Sequence, residues 1–127
     1  MNDMRHPIAK ARGLGSAKQG LQHWWHQRLS SIVLALLTPW LVYTLFKLAP
    51  LDQLAARALI AEPITATLLL AFVLALFWHA CLGLQVVIED YIHRAWLEFS
   101  LQIAVKLIYA LAAIASILAI GRIVFSA

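Results

Sequence analysis

Three long apolar runs dominate the chain, at about residues 29–49, 64–88 and 97–125, separated by short polar stretches. At about 1.5 Å of helix per residue, each is long enough to cross a hydrocarbon core of about 30 Å. The pattern therefore predicts an all-α integral membrane protein with three transmembrane helices. Pro39 falls near the middle of the first run and predicts a kink there, while Pro50 closes that span. Asp52 is placed to cap a short amphipathic helix from Gln53 to Ala61, and Pro63 suits the first turn of the second span. The third run is too long to lie wholly in hydrocarbon, so its first turns belong in the interface. There Glu98, Gln102 and Lys106 recur every fourth residue. That stripe reads either as a Glu–Lys network snorkelling to the nearer surface, or as a wet path or subunit contact.

Composition removes several alternatives. Of 127 residues, 63% are apolar and only 13% charged, with a mean hydropathy of +0.82, whereas soluble domains carry about 25% charged residues. The whole chain, 1–127, is expected to be a single membrane-anchor domain, and a reaction needing a large polar active site falls to a partner. The net charge of +4 comes from basic residues too sparse for nucleic acid; it reports orientation instead. Arg5, Lys10, Arg12, Lys18, Arg28 and Arg94 lie on one side, against Lys47, Arg57 and Arg122 on the other. The positive-inside rule makes the N-terminus cytoplasmic. Residues 1–28 read as a retained cytoplasmic arm, because the following apolar run exceeds the length of a signal peptide's core. The single cysteine, Cys81, reads as a packing residue. The sequence shows no internal repeat of the kind that builds many transporters.

Candidate chemistry gathers in residues 79–91, H-A-C-L-G-L-Q-V-V-I-E-D-Y. His79 lies deep in the second run, and Asp90 and Tyr91 stand where that run meets polar sequence. Positions eleven apart on a helix are about 20° from alignment and about 16 Å apart, so His79 and Asp90 share a face. Gly83 and Val86 lie between them and leave room for a flat group to approach. A histidine within a bilayer costs free energy and invites a functional reading. It could bond another helix, relay protons, or ligate a metal or haem iron; the last is favoured by the small side chain nearby. The other histidines, His6, His23, His26 and His93, lie outside the spans or at their ends. A haem with two histidine ligands would therefore need its second from another subunit. A phenol beside a carboxylate, as in Asp90–Tyr91, can hydrogen-bond a carbonyl and relay a proton, as quinone reduction requires; an ordinary solvated helix end is the plainer alternative. At the start of the first span, H-W-W-H-Q-R reads as an interfacial anchor. Within it Arg28 could also pair with a cofactor carboxylate.

These residues resemble a known family. H-A-C-L-G-L-Q-V-V-I-E-D-Y-I-H is similar to the second-helix signature of the hydrophobic membrane anchor subunit of succinate dehydrogenase, respiratory complex II. H-W-W-H-Q-R-L-S-S-I-V-L, the three spans and the length agree, and the likeness covers nearly the whole chain. The resemblance implies that His79 is one axial ligand of haem b, with the cytochrome b-type anchor supplying the other. It implies that Asp90 and Tyr91 lie at the ubiquinone site and Arg28 near the haem propionates. It further implies flavoprotein and iron–sulfur subunits that oxidise succinate and deliver electrons to a bacterial inner membrane in which this multi-pass chain sits. Succinate chemistry itself is not expected here, because the sequence carries no flavin or iron–sulfur motif. A quinol:fumarate reductase anchor is the nearest alternative, and a small haem-free scaffold or transporter a more distant one. The sequence assigns no role to His23 or His26.

Overall fold

A computed structural model describes residues 16–126 of the protein. The basic residues Arg5, Lys10 and Arg12, which contribute to the expected orientation, lie outside the described residues, as does His6. The described chain forms four helices, α1 (Ser16–Leu48), α2 (Gln53–Ala61), α3 (Pro63–Tyr91) and α4 (Ala95–Ser126). Three are long and apolar enough to cross a membrane, over Gly20–Leu48, Pro63–Tyr91 and Ala95–Ser126. The expected three-span, all-α architecture is therefore present, with different edges.

The largest difference is at the first helix, which begins at Ser16, well ahead of residue 29. Residues 16–28 contain no proline, and Ala17, Lys18, Gln19, Leu21 and Gln22 are good helix formers. Polarity marked the edge of the apolar run, but nothing there ends a helix. At 33 residues, α1 is about 50 Å long, more than a hydrocarbon core requires. It stays helical through Pro39. Just before that residue, the Thr38 hydroxyl donates to the Leu34 carbonyl at 2.6 Å.

α3 likewise runs on through Glu89, Asp90 and Tyr91, which sequence polarity had placed in a loop. Only residues 92–94 separate it from α4. The turn is tight at both ends: Ile92 N–H donates to the Ile88 carbonyl at 2.9 Å, and Glu98 N–H to the Arg94 carbonyl at 2.9 Å. α2 follows expectation closely. Asp52 adopts an extended backbone (φ −71°, ψ 173°), and its carboxylate accepts the Ala55 N–H at 2.8 Å. Pro63 occupies the first turn of α3, where its missing N–H costs nothing.

α3 is the central element, packed against α1 on one side and α4 on the other, with α2 lying across α3 and α4. Very little of the molecule is interior. Among the described apolar residues only Ala66 and Ile88 are buried, while Leu36, Phe46, Ile64 and Phe125 are exposed by 72%, 76%, 76% and 91%. Such surface is not stable in water and is stable against lipid or other subunits. In hydrocarbon the apolar faces give no hydrophobic drive for helix association. Side-chain hydrogen bonds and close packing must then fix how the helices register.

The Asp52 cap yields a local test. Asp52→Ala should cost α2 about 1 kcal/mol, read as a roughly fivefold faster amide hydrogen exchange across Gln53–Ala61 with the spans unaffected. Unchanged protection of α2 would show that the cap contributes nothing.

Candidate functional site

Four polar side chains of α1 fall on one stripe. His23, Gln27, Ser30 and Ser31 are spaced by four, three and one residues, which places them along one side of a helix. That stripe faces His79 of α3. Ser30 Oγ lies 3.0 Å from His79 Nδ1 and Ser31 Oγ 3.4 Å from the same nitrogen. On the opposite side of the ring, Gln27 Nε2 lies 3.4 Å from His79 Nε2. Both hydroxyls also donate to the Gln27 backbone carbonyl, at 3.0 Å from Ser30 and 2.7 Å from Ser31. His79 is thus held on both nitrogens by the first helix.

The contacts are satisfied together when the serine hydroxyls donate to the Gln27 carbonyl and present lone pairs to the imidazole. His79 then carries its proton on Nδ1 and has a lone pair on Nε2, which accepts from the Gln27 carboxamide N–H. This arrangement leaves Gln27 Oε1 buried with no partner among the described residues.

The pairing also sets the register of α1 on α3. Ser30 opposes His79, and a Cβ built on Gly83 would meet Gln27 Nε2 at 3.8 Å, an ordinary contact. Further along, Gly20, His23 and Trp24 join Val86 and Glu89 around one cleft of about 710 Å³. The helices therefore run antiparallel, and the aromatic and basic cluster of α1 lies level with residues 79–89 of α3. Sequence reasoning had set residue 28 and residue 88 at the same membrane surface; the structure offsets them by more than a turn. The space Gly83 leaves is taken by the Gln27 carboxamide.

Gln27 also lines the 710 Å³ cleft, together with Gly83 and Gln85. Two polar atoms in this region, Gln27 Oε1 and His23 Nε2, are buried with no hydrogen-bond partner among the described residues. An open cleft with glycines on both walls and unpaired polar atoms, separated from His79 by the Gln27 carboxamide, suits a bulky group with polar edges. Among the described residues no three of His, Cys, Asp and Glu gather as a metal-ion cluster.

The other expected site residues lie elsewhere. Arg28 is exposed, with its guanidinium 5.5 Å from the Trp24 ring centroid, a cation–π geometry. It sits about 100° around α1 from Gln27. His26 is also exposed and packs edge-on against Trp78 with centroids 6.0 Å apart. Asp90 and Tyr91 close the last turn of α3, and Tyr91 is 77% exposed. α3 is unbroken from His79 to Tyr91, so it carries the histidine and the acid–phenol pair on one rod.

Beside them, Gln85 Nε2 donates to Glu89 at 2.9 Å, and Gln102 Nε2 lies 3.4 Å from both Glu89 and Glu98. The stripe on the third span therefore reaches α3 through glutamine. Lys106 lies lower, in a cleft of about 390 Å³ with His26, Trp78 and Gln85. The serines and Gln27 were the residues sequence reasoning passed over. Their signal was the three-to-four spacing, which becomes visible once the first helix is allowed to start before residue 29.

Taken together, the fold and this polar seam define a small three-span membrane anchor whose site is open on one side. The chain matches the family described as succinate dehydrogenase/fumarate reductase transmembrane subunit over residues 2–119. It is 42% identical over 118 residues to the succinate dehydrogenase hydrophobic membrane anchor subunit of Rickettsia bellii, covering 93% of this chain and 94% of that one. The corresponding subunit of Rickettsia typhi is 37% identical over the same shares, and that of Paracoccus denitrificans 33% identical over 67% of this chain and 66% of its own. No solved structure matches the chain significantly. The chain belongs to the succinate dehydrogenase/fumarate reductase transmembrane-subunit family, and it is a multi-pass protein of a bacterial inner membrane.

The register has a direct check. In a Cys81→Ala background, Gln27→Cys should cross-link with Gly83→Cys in membranes and fail to cross-link with Glu89→Cys. The reverse preference would show that α1 is shifted along α3.

Proposed function

We propose that the chain anchors a succinate:quinone oxidoreductase and completes two half-sites with partner subunits, a haem b site at His79 and a ubiquinone-reducing site at Asp90 and Tyr91. The observation that carries this reading is the His79 environment: an imidazole contacted by serine oxygens at Nδ1, with Nε2 against the Gln27 carboxamide, which itself borders a cleft with unpaired polar atoms. The donor set fits haem, because an imidazole ligates iron through a neutral nitrogen while its other N–H is held by an acceptor. Haem b, when bound, supplies one-electron storage and transfer. For it to bind, the Gln27 carboxamide leaves Nε2. The other iron ligand would come from a cytochrome b-type anchor subunit. Arg28 lies one residue from Gln27 and can reach a haem propionate only by leaving the Trp24 ring.

At the end of α3, the exposed Tyr91 hydroxyl donates to a quinone carbonyl and Asp90 relays protons from the cytoplasmic water. The helix C-terminus disfavours a carboxylate, a cost consistent with a working role for Asp90. In this reading the N-terminus is cytoplasmic, which puts Asp90 and Tyr91 on the side where flavoprotein and iron–sulfur subunits dock. Those subunits oxidise succinate; this chain does not. The relatives named above are succinate dehydrogenase subunits, which favours succinate oxidation over fumarate reduction as the direction.

Two substitutions check the half-sites separately in the purified complex. His79→Ala should abolish or strongly perturb the b-type absorption; an unaltered spectrum would remove His79 from the iron. Tyr91→Phe should lower quinone reduction about tenfold, the value of one hydrogen bond, while succinate oxidation with a soluble acceptor persists. Equal loss of both activities would point to failed assembly rather than to a quinone contact.

A further inference from the structure

We infer that Ser30 and Ser31 are positioning residues for His79, acting as a paired hydrogen-bond acceptor that holds the imidazole proton on Nδ1 and strengthens Nε2 as a donor to iron. The inference rests on the proposed ligation by His79 and deepens it. Ser30 is 6% exposed, one of the most buried residues in the molecule, so its hydroxyl is not a surface group that happens to lie near the ring. Its oxygen is 3.0 Å from Nδ1 and Ser31's 3.4 Å. Both hydroxyls are also placed to donate to the Gln27 carbonyl, at 3.0 Å and 2.7 Å. Once His79 ligates through Nε2, its proton is on Nδ1 and the serine oxygens accept it, with their own protons free to go to that carbonyl.

The consequence follows from the chemistry of imidazole. A histidine that ligates through Nε2 must keep its proton on Nδ1, and an acceptor on that proton increases the ring's basicity. The more basic ligand stabilises the ferric state over the ferrous one, which lowers the reduction potential. Neutral hydroxyl acceptors do this more weakly than a carboxylate, so the serines set an intermediate ligand strength. Because both sit on α1 while His79 sits on α3, the same contacts also fix the ring plane relative to the cleft. Gln27 completes the arrangement: its carbonyl takes the serine protons, and its carboxamide covers Nε2 until a stronger partner displaces it.

The test is a redox titration of the b-type absorbance in the assembled, purified complex, for Ser30→Ala, Ser31→Ala, the double variant and Ser30→Thr. The potential should rise in Ser30→Ala, rise less in Ser31→Ala, rise most in the double variant, and stay near the parent in Ser30→Thr, which keeps the hydroxyl. An unchanged potential in the double variant, with haem retained, would overturn the inference. So would a Ser30→Thr shift as large as that of Ser30→Ala, since packing and not the hydroxyl would then be responsible. If the double variant loses haem, the two single variants carry the test by the same criteria. Failure of the ligand assignment itself has a different signature, a His79→Ala complex with an unaltered haem spectrum.

Discussion

The hydrogen bonds between the first helix and His79 are the constraint on which the described structure depends. In lipid, apolar helix faces lack both direction and a hydrophobic drive to associate. What distinguishes one register is a polar group that must be satisfied away from water. Ser30 and Ser31 meet Nδ1, Gln27 meets Nε2, and the antiparallel alignment of α1 on α3 follows. The position of the cleft then follows from the alignment, because Gly20 and His23 come to face Val86 and Glu89.

Much of the architecture was legible along the chain. The three spans follow from length and apolarity alone. Asp52 announced α2 because an N-cap is a local event, a carboxylate meeting an amide three residues on. Tertiary relations were less accessible. The change from polar to apolar residues near residue 29 marks a change of solvent and carries no signal that ends a helix, so α1 was expected to start too late. The same reasoning applies to residues 89–91, polar yet helical. Gly83 was read as room for a flat group; its neighbour in this chain is the Gln27 carboxamide. That contact depends on the crossing of two helices, which no local pattern encodes. His79 stood out because a bilayer histidine is rare; its serine partners did not, because Ser30 and Ser31 look ordinary until their distance from a nitrogen is known.

The molecule is best understood as one side of an assembly. Its apolar residues are exposed along all three spans, its acid–phenol pair stands open at the end of α3, and its cleft contains buried polar atoms still lacking partners. A family of membrane-anchor subunits makes sense of that incompleteness. α3 is the shared rod: it bears His79 at one level and Asp90 and Tyr91 about 16 Å further along, and it packs against both other spans. Glutamines tie its end to α4 through Glu89. His79 and the acid–phenol pair therefore move as one body, which suits the proposed role of holding two half-sites at fixed separation.

The central claim is that α1 holds His79 so that Nε2 is ready for iron and Gln27 gives way. A density map of the assembled complex at side-chain resolution tests this most directly. It should show Ser30 Oγ still within hydrogen-bonding distance of His79 Nδ1, Nε2 facing the iron, and the Gln27 carboxamide turned out of its present 3.4 Å contact. A map with Gln27 still against Nε2, or with His79 facing away from the haem, would contradict the account.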